Sequence, residues 1–486
     1  MKNWLLRWEV VLALSLIGLF FLLNLLIASR SPYGAWLDEA GYADPGLNLV
    51  TGKGWTSMGD RVFWLGNSPL YPALLSVWVR IFGISMVSVR TYCYFLAAIG
   101  MFLFWLGVYR FKLLTPFYRL FGIVLLSSEY AMNWMERNGR YDVLIFLALA
   151  MVWVGASLPN PMARRSLIFA GCLCAVLAGI VCVPYIILLA GLITVLTRFT
   201  WWKEAVIALL GTGFGVFFVL GFYAACGHLH DFQETLKHQS STSENYHFSR
   251  FIDPFFYPRE DEGIVLMIVA LVILSFQNGK NSLPDFGRWL AFGWLMVILM
   301  PFLMLVRGVF PMMYFYLLII PLALSILQLA TLIGQNTRGR HISILITLLL
   351  GITCLTGLPG RIYYSWKEWD LRDPQHMRDF VRSYIHPDDV VLAEPPFYYE
   401  LRDYVKFLDI PPYIRALPPD DAARINVALI EDSDLPDVTR DFSGFAAVGG
   451  EWKKIAVFPT PEMLHGKVPS RSIHTYTLYR RNVIQP

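Results

Sequence analysis

Long apolar runs separated by short polar loops dominate the first 360 residues. The first runs from about Val10 to Ala28, and others lie near 87–109, 116–131, 141–158, 166–183, 184–199, 204–226, 263–276, 289–306, 309–329 and 341–358. At 1.5 Å per residue, about 20 apolar residues cross a ~30 Å hydrocarbon core, so each run is of spanning or near-spanning length. The pattern predicts a polytopic α-helical membrane protein. The first run exceeds the ~7–15 apolar residues of a cleaved signal peptide, which predicts an uncleaved anchor. From about Arg361 onward the text turns charged and Pro-rich. DPQHMRDFVRSYIHPDD reads as an amphipathic helix with Met377, Phe380, Val381, Tyr384 and Ile385 on one face, and VVLAE, INVALIE and HTYTLYRR read as strands. The expected organisation is a transmembrane domain over 1–360 and a small soluble α/β domain over 361–486.

Composition agrees with this reading. Of 486 residues, 56% are hydrophobic and 16% charged, which excludes a soluble globular enzyme. The net charge of +4 comes from Lys and Arg in short loops, a mark of topology rather than of nucleic-acid binding. The six cysteines, Cys93, Cys172, Cys174, Cys182, Cys226 and Cys354, fall within or at the ends of apolar runs without CxxC spacing, and they do not decide the redox compartment. There is no internal repeat, GxGxxG fingerprint or Walker loop.

Every second loop is basic: Arg338, Arg340 and His341; Lys280 and Arg288; Arg198 and Lys203; Arg164 and Arg165. Cytoplasmic loops carry the excess of Lys and Arg. The intervening loops, 227–261 and the MNWMERNGR segment among them, are therefore expected outside, together with everything after Leu358. Arg110, Lys112 and Arg119 then fall inside, as do Lys2 and Arg7. The count closes when 69–109 makes one net crossing. PLYPALLSVWVRIFG (69–83) is accordingly expected as a short interfacial or re-entrant helix, with about eleven spans in all and outer-face loops at 30–68 and 227–261.

Asp38 and Glu39, in WLDEAGYADPG just after the first run, place two carboxylates at a membrane surface. Such groups are costly to desolvate and mark chemistry or ion handling more often than packing. Asp38, Glu39, Arg61, Glu136, Arg137, Arg140 and Asp142 are all expected on the outer face, where they can line one cavity. Arg137 and Arg140 break the positive-inside pattern, which an anionic ligand explains. Nucleotide sugars and ATP are kept inside, and the chain lacks a phosphate-cradling Gly-rich loop, so a lipid-borne donor fits best. In sugar transfer from a lipid phosphate, a carboxylate takes the acceptor hydroxyl proton while cations stabilise the leaving phosphate. Asp38 or Glu39 can be the base. Arg137 and Arg140 offer phosphate oxygens a fixed fork of donors, and Arg61 is a further candidate.

Several motifs together resemble the GT-C membrane glycosyltransferases. They are Asp38 and Glu39 with Tyr42 downstream, Gly52, the Pro69-Leu70-Tyr71 run, the Phe82-Gly83 turn followed by Arg90, and Arg140-x-Asp142. The nearest subgroups are the protein O-mannosyltransferase-like enzymes and the bacterial aminoarabinose–lipid A transferases, by motif over roughly the first 160 residues and by layout beyond. The resemblance implies an inverting transfer from a polyprenyl-phosphate sugar, with Asp38 as base and Asp142 and Tyr42 near the same site. It also sets His247 and Arg250 of the 227–261 loop against the donor phosphate. Where aminoarabinose transferases carry Glu-Lys before Pro-Leu-Tyr, this chain has Gly66-Asn67, which removes a metal ligand and a phosphate-binding cation. The need for a divalent cation stays open, as do the sugar, hexosyl or pentosyl, and the acceptor, a lipid, a glycan or a protein.

Plainer readings stand beside these. Asp38 and Glu39 also suit the first turn of a juxtamembrane helix, and Arg137 and Arg140 can pair with Glu136 and Asp142. Trp36, Trp55, Trp64 and Trp134 read as an interfacial belt, Gly46, Gly52 and Gly54 as turn residues, and His228 and His230 as solvated surface. A transporter or flippase for a lipid-linked saccharide is the competing function, and a catalytically retired lipid-binding scaffold a third. Transporters show pseudo-repeats and midplane charges, whereas here the charges gather at one face. The expectation is a glycosyltransferase of the bacterial inner membrane, with site and C-terminal domain on the periplasmic side.

Overall fold

A computed structural model describes the chain apart from residues 1, 32, 36, 58–61, 138, 197–199, 242–261, 278–283, 308–315, 336, 410–423, 432–451, 465–473 and 482–486. Among the described residues, six helices are long and apolar enough to cross a membrane: Trp8–Leu26, Met86–Arg110, Pro161–Ala178, Trp202–Ala225, Tyr316–Gly334 and Gly339–Lys367. Tyr130–Arg137 and Asp142–Ala156, bent by 114° at a break, add a seventh if taken as one span. Leu70–Phe82, Pro116–Ser128, Ile180–Thr194 and Gly263–Ser275 are apolar but shorter. The chain is an integral membrane protein. It divides into two compact units, one comprising Met1–Leu25, Leu65–Tyr71 and Tyr92–Ile362, the other Leu26–Trp64, Pro72–Thr91 and Tyr363–Pro486.

In chain order the first helices are α1 (Lys2–Leu26), α2 (Leu37–Val50), α3 (Leu70–Phe82), α4 (Met86–Arg110), α5 (Pro116–Ser128), α6 (Tyr130–Arg137) and α7 (Asp142–Ala156). The first unit is helical. Thr115 caps α5, accepting from the Tyr118 N–H, and Pro116 sits where a missing N–H costs nothing. The apolar run read over 116–131 is cut at Glu129. Its extended backbone ends α5, and its carboxylate accepts from the Met132 N–H to start α6 (2.9 Å). Helices without side-chain bulk at their contacts pack closely here, as in other membrane bundles. A Cβ at Gly211 would lie 2.5 Å from the Phe169 carbonyl, and one at Gly215 2.6 Å from Val176 Cβ. Near the turn joining α4 to α5, Arg119 pairs with Glu9 through two hydrogen bonds of 2.6 and 2.7 Å and also donates to the Leu113 and Leu114 carbonyls.

The second unit contains α2, most of α3, and a five-stranded sheet. Besides the two-residue β1 (Thr56–Ser57) and β2 (Val62–Phe63), the strands are β3 (Val390–Ala393), β4 (Phe407–Asp409), β5 (Val427–Glu431), β6 (Trp452–Phe458) and β7 (Tyr476–Arg481). Their order is β4-β3-β5-β7-β6, with β3 parallel to β4 and β5, and β7 antiparallel to β5 and β6. The continuous apolar text of β3 and β5 matches strands covered on both faces. Val390, Leu392, Ala428 and Ile430 are buried among Phe407, Trp452 and Tyr479, and Phe397 and Phe458 pack against each other elsewhere in the unit. The amphipathic helix is Pro374–Tyr384, capped by Asp373, with Met377, Phe380 and Val381 buried and Tyr384 exposed. Along α3, Leu74, Val77 and Ile81 form an exposed apolar row on a helix of 13 residues, short of a full span.

Candidate functional site

The second unit holds Asp38, Glu39 and Tyr42. Both carboxylates occupy the first turn of α2, where free N–H groups and the helix dipole favour negative charge. Their environments differ. The side chains of Glu39 and Arg90 have no exposed surface (0% each). Arg90 Nε donates to Glu39 Oε1 (3.0 Å) and Nη2 to Oε2 (2.8 Å), while Nη1 and Nη2 reach the Ala28 and Gly34 carbonyls, both at 2.6 Å. A buried ion pair survives only with such complete bonding. Asp38 is partly exposed, as is Tyr42 one turn on, which puts the two on one face of α2.

α2 contains Pro45, which lacks the N–H that would bond the Gly41 carbonyl. The Trp64 indole N–H donates to that carbonyl instead (3.1 Å). Trp64 is buried, with Tyr42 and Trp55 packed edge-on against it, so its role is to hold the helix rather than to join a membrane belt. Gly46 is not a turn residue: it sits within α2, where a Cβ would lie 2.6 Å from the Pro72 carbonyl. Gly52 and Gly54, at φ +79° and +80°, do serve the following turn.

Arg137, Arg140 and Asp142 belong to the first unit, around the break between α6 and α7. Gly139, at φ +60°, makes the turn there, and its carbonyl accepts from the Tyr71 hydroxyl. Arg140 Nε lies 2.9 Å from Asp142 Oδ2, both side chains being 2% exposed. Asp142 Oδ1 accepts from the Tyr316 hydroxyl (3.3 Å), and Arg140 Nη2 donates to the Tyr141 hydroxyl (3.2 Å). Arg137, in the last turn of α6, is partly exposed, with its guanidinium 5.8 Å from the Trp134 ring centre. Asn67 Oδ1 accepts from the Ser68 and Ile180 N–H groups, and its carbonyl accepts from the Tyr223 hydroxyl.

The structure thus brings Glu39 together with Arg90, Arg140 with Asp142, and Asp38 with Tyr42. Arg61, His247 and Arg250 lie outside the described residues. His228 Nδ1 is 2.9 Å from Asp231 on an exposed surface, and no group of three or more His, Cys, Asp or Glu side chains among the described residues is arranged to hold a metal ion. Both oxygens of Glu39 accept from Arg90, while Asp142 Oδ2 is ion-paired with Arg140 and Oδ1 accepts from Tyr316.

Sequence reasoning named Arg90 in a motif but gave it no role, and it missed Asp44, Asn48, Tyr398, Tyr399 and Arg402. Within the second unit the Tyr398 hydroxyl donates to Asp44, Arg402 Nη2 donates to Asn48 Oδ1 (2.9 Å), and the Tyr399 hydroxyl lies 3.5 Å from Glu39 Oε1. Burial, with the Asp44 charge beside one and the Glu39 charge beside the other, holds both phenols well above their usual range, so they stay protonated donors. The signal was the polar-aromatic run EPPFYYELR, but nothing in it names its distant partners.

No protein-family model matches the chain, and no curated protein matches it in sequence. Among solved structures, ArnT from Cupriavidus metallidurans bound to undecaprenyl phosphate is similar with a TM-score of 0.58 at 11% identity over 98% of each chain. The arabinofuranosyltransferase AftD from Mycobacteria gives 0.46 at 12% identity, over 98% of this chain and 40% of that one. An oligosaccharyltransferase from Archaeoglobus fulgidus gives 0.44 at 8% identity, over 87% of this chain and 69% of that one. The likeness to ArnT spans nearly all of both chains, and this chain has the fold of that protein.

Proposed function

We propose that the protein transfers a sugar from a polyprenyl-phosphate donor to an acceptor hydroxyl, with Asp38 as general base. The observation that carries this reading is the division within the acidic pair: Arg90 takes both oxygens of Glu39, leaving Asp38 as the partly exposed carboxylate on a fixed helix. The undecaprenyl phosphate bound to the structurally similar ArnT is the lipid chemistry the reading calls for.

In the reaction, Asp38 accepts the proton of the acceptor hydroxyl as its oxygen attacks the anomeric carbon from the face opposite the phosphate. The new C–O bond forms as the anomeric carbon–phosphate oxygen bond breaks, and polyprenyl phosphate departs with the electron pair, so configuration inverts. Arg137 contacts the leaving phosphate, since its guanidinium is partly exposed. Arg140, held in orientation by Asp142 and Tyr141, is the second candidate cation for the phosphate. Tyr42, on the same face of α2 as Asp38, borders the acceptor. Glu39 acts through Arg90 as a positioning residue.

The same reading keeps about eleven spans, the site on the outer face of a bacterial inner membrane, and 361–486 as an extracytoplasmic domain. The test is the mass spectrum of polyprenyl-phosphate sugars in a deletion strain. One species accumulates and is cleared by the wild-type gene but not by Asp38→Asn. No accumulation removes the lipid donor and leaves a transporter of lipid-linked saccharide as the leading idea, whereas equal clearance by Asp38→Asn removes the base.

A further inference from the structure

The helix that carries Asp38 is held by a second set of residues more than three hundred positions away in sequence, all within the second unit. Tyr398 bonds Asp44, Arg402 bonds Asn48, and Tyr399 reaches the Arg90-bound oxygen of Glu39. Just ahead of α2, the Ala35 N–H donates to the Pro396 carbonyl (3.4 Å), and a Cβ at Gly34 would lie 2.5 Å from Pro396 Cβ. Asp44 (7%), Asn48 (2%), Tyr398 (3%) and Arg402 (8%) are all buried. Asn48 also donates to the Thr56 carbonyl (3.0 Å), fastening the hairpin to the same network.

We propose that residues 394–402 are a catalytic brace, which sets the position of α2 and so the reach of the Asp38 carboxylate. It rests on the transferase reading above and gives the C-terminal residues a part in the reaction step itself. Apolar side chains would fill this contact at less desolvation cost than a buried Asp, Asn, Tyr and Arg. A fully bonded polar network instead fixes one register and one orientation, which suits a helix whose first turn carries the base. The sheet has its own apolar core in Val390, Leu392, Ile425, Ala428 and Ile430, which does not include these side chains.

The experiment compares full-length wild type with Tyr398→Phe, Arg402→Lys and, as a control on the exposed sheet residue, Lys453→Ala. Amide hydrogen exchange over 37–50 reads the brace, binding of undecaprenyl phosphate reads the donor site, and clearance of the accumulated lipid-linked sugar in the deletion strain reads transfer. Tyr398→Phe and Arg402→Lys should each speed exchange over 37–50 by about tenfold, the loss of one buried hydrogen bond. Clearance should slow by a similar factor, with undecaprenyl phosphate affinity within about twofold of wild type and Lys453→Ala unchanged in all three. Unchanged exchange over 37–50 overturns the brace. Faster exchange with wild-type clearance, or with exchange raised equally throughout the chain, overturns its catalytic role. A deletion strain that accumulates no lipid-linked sugar defeats the transferase reading, and the exchange result still decides the brace.

Discussion

The two buried acid–arginine pairs look alike as motifs and differ in their surroundings. Around Glu39, Arg90 bonds both carboxylate oxygens and two backbone carbonyls, one phenol, Tyr399, lies 3.5 Å from the carboxylate, and neither side chain of the pair is exposed at all. Around Asp142, the partners are phenols as well: Tyr316 donates to the carboxylate, and Tyr141 lies beside the guanidinium through both its hydroxyl and its ring. The first is a lock between helices far apart in sequence. The second stiffens a helix break three residues from Arg137. A carboxylate next to an arginine is therefore no measure of function by itself. What distinguishes Asp38 is that its neighbour in sequence has taken the structural role.

Substitutions can separate the two pairs. The largest effect is expected for Glu39→Gln, which leaves Arg90 charged and buried opposite a neutral amide: a loss of about 3–5 kcal/mol, seen as a collapse in folded yield and thermal stability. Asp142→Asn should cost less, about 1–3 kcal/mol, because Arg90 gives Glu39 two charged hydrogen bonds whereas Arg140 Nε meets Asp142 at Oδ2. A larger loss at Asp142 than at Glu39 would invert the comparison. Trp64→Phe removes the donor that replaces the missing Pro45 N–H and should cost about 1 kcal/mol, read by the same melts.

The smallest effect concerns pH. Burial raises the affinity of Asp389 for a proton, but hydrogen bonds from Arg480, the His386 N–H and Asn426 outweigh it and hold the carboxyl below its ordinary 3.8. A carboxyl depressed on folding contributes stability above its unfolded value, and that contribution is lost as pH falls through the folded value. Asp389→Asn should therefore destabilise at pH 7 and do so progressively less below about pH 4, by under about 1 kcal/mol because Arg480 is partly exposed. Equal destabilisation at both pH values would contradict this.

Much of the membrane part was legible because apolar length is a one-dimensional signal. What it missed were interruptions such as Glu129, a cap inside an apolar run that periodicity does not register. In the C-terminal region β3, β5 and β7 were legible from apolar and alternating text. β4 is only three residues long, and β6 carries Lys453 and Lys454 in its first half, so neither stands out. At the site, adjacency exposed the acidic pair and not the difference between its members. That difference depends on Arg90, 51 residues from Glu39, and on Tyr398 and Arg402, each 354 residues from its partner. Such partners are fixed by the folded chain and leave no local pattern.

The central claim is tested most directly by incubating the purified full-length protein with the lipid-linked sugar recovered from the deletion strain, together with membrane extract as the source of acceptor, and measuring release of polyprenyl phosphate. Wild type should release it, while Asp38→Asn should melt at the wild-type temperature and release it at least about a hundredfold more slowly, the scale of a lost general base. Equal release by a folded Asp38→Asn protein would contradict the account.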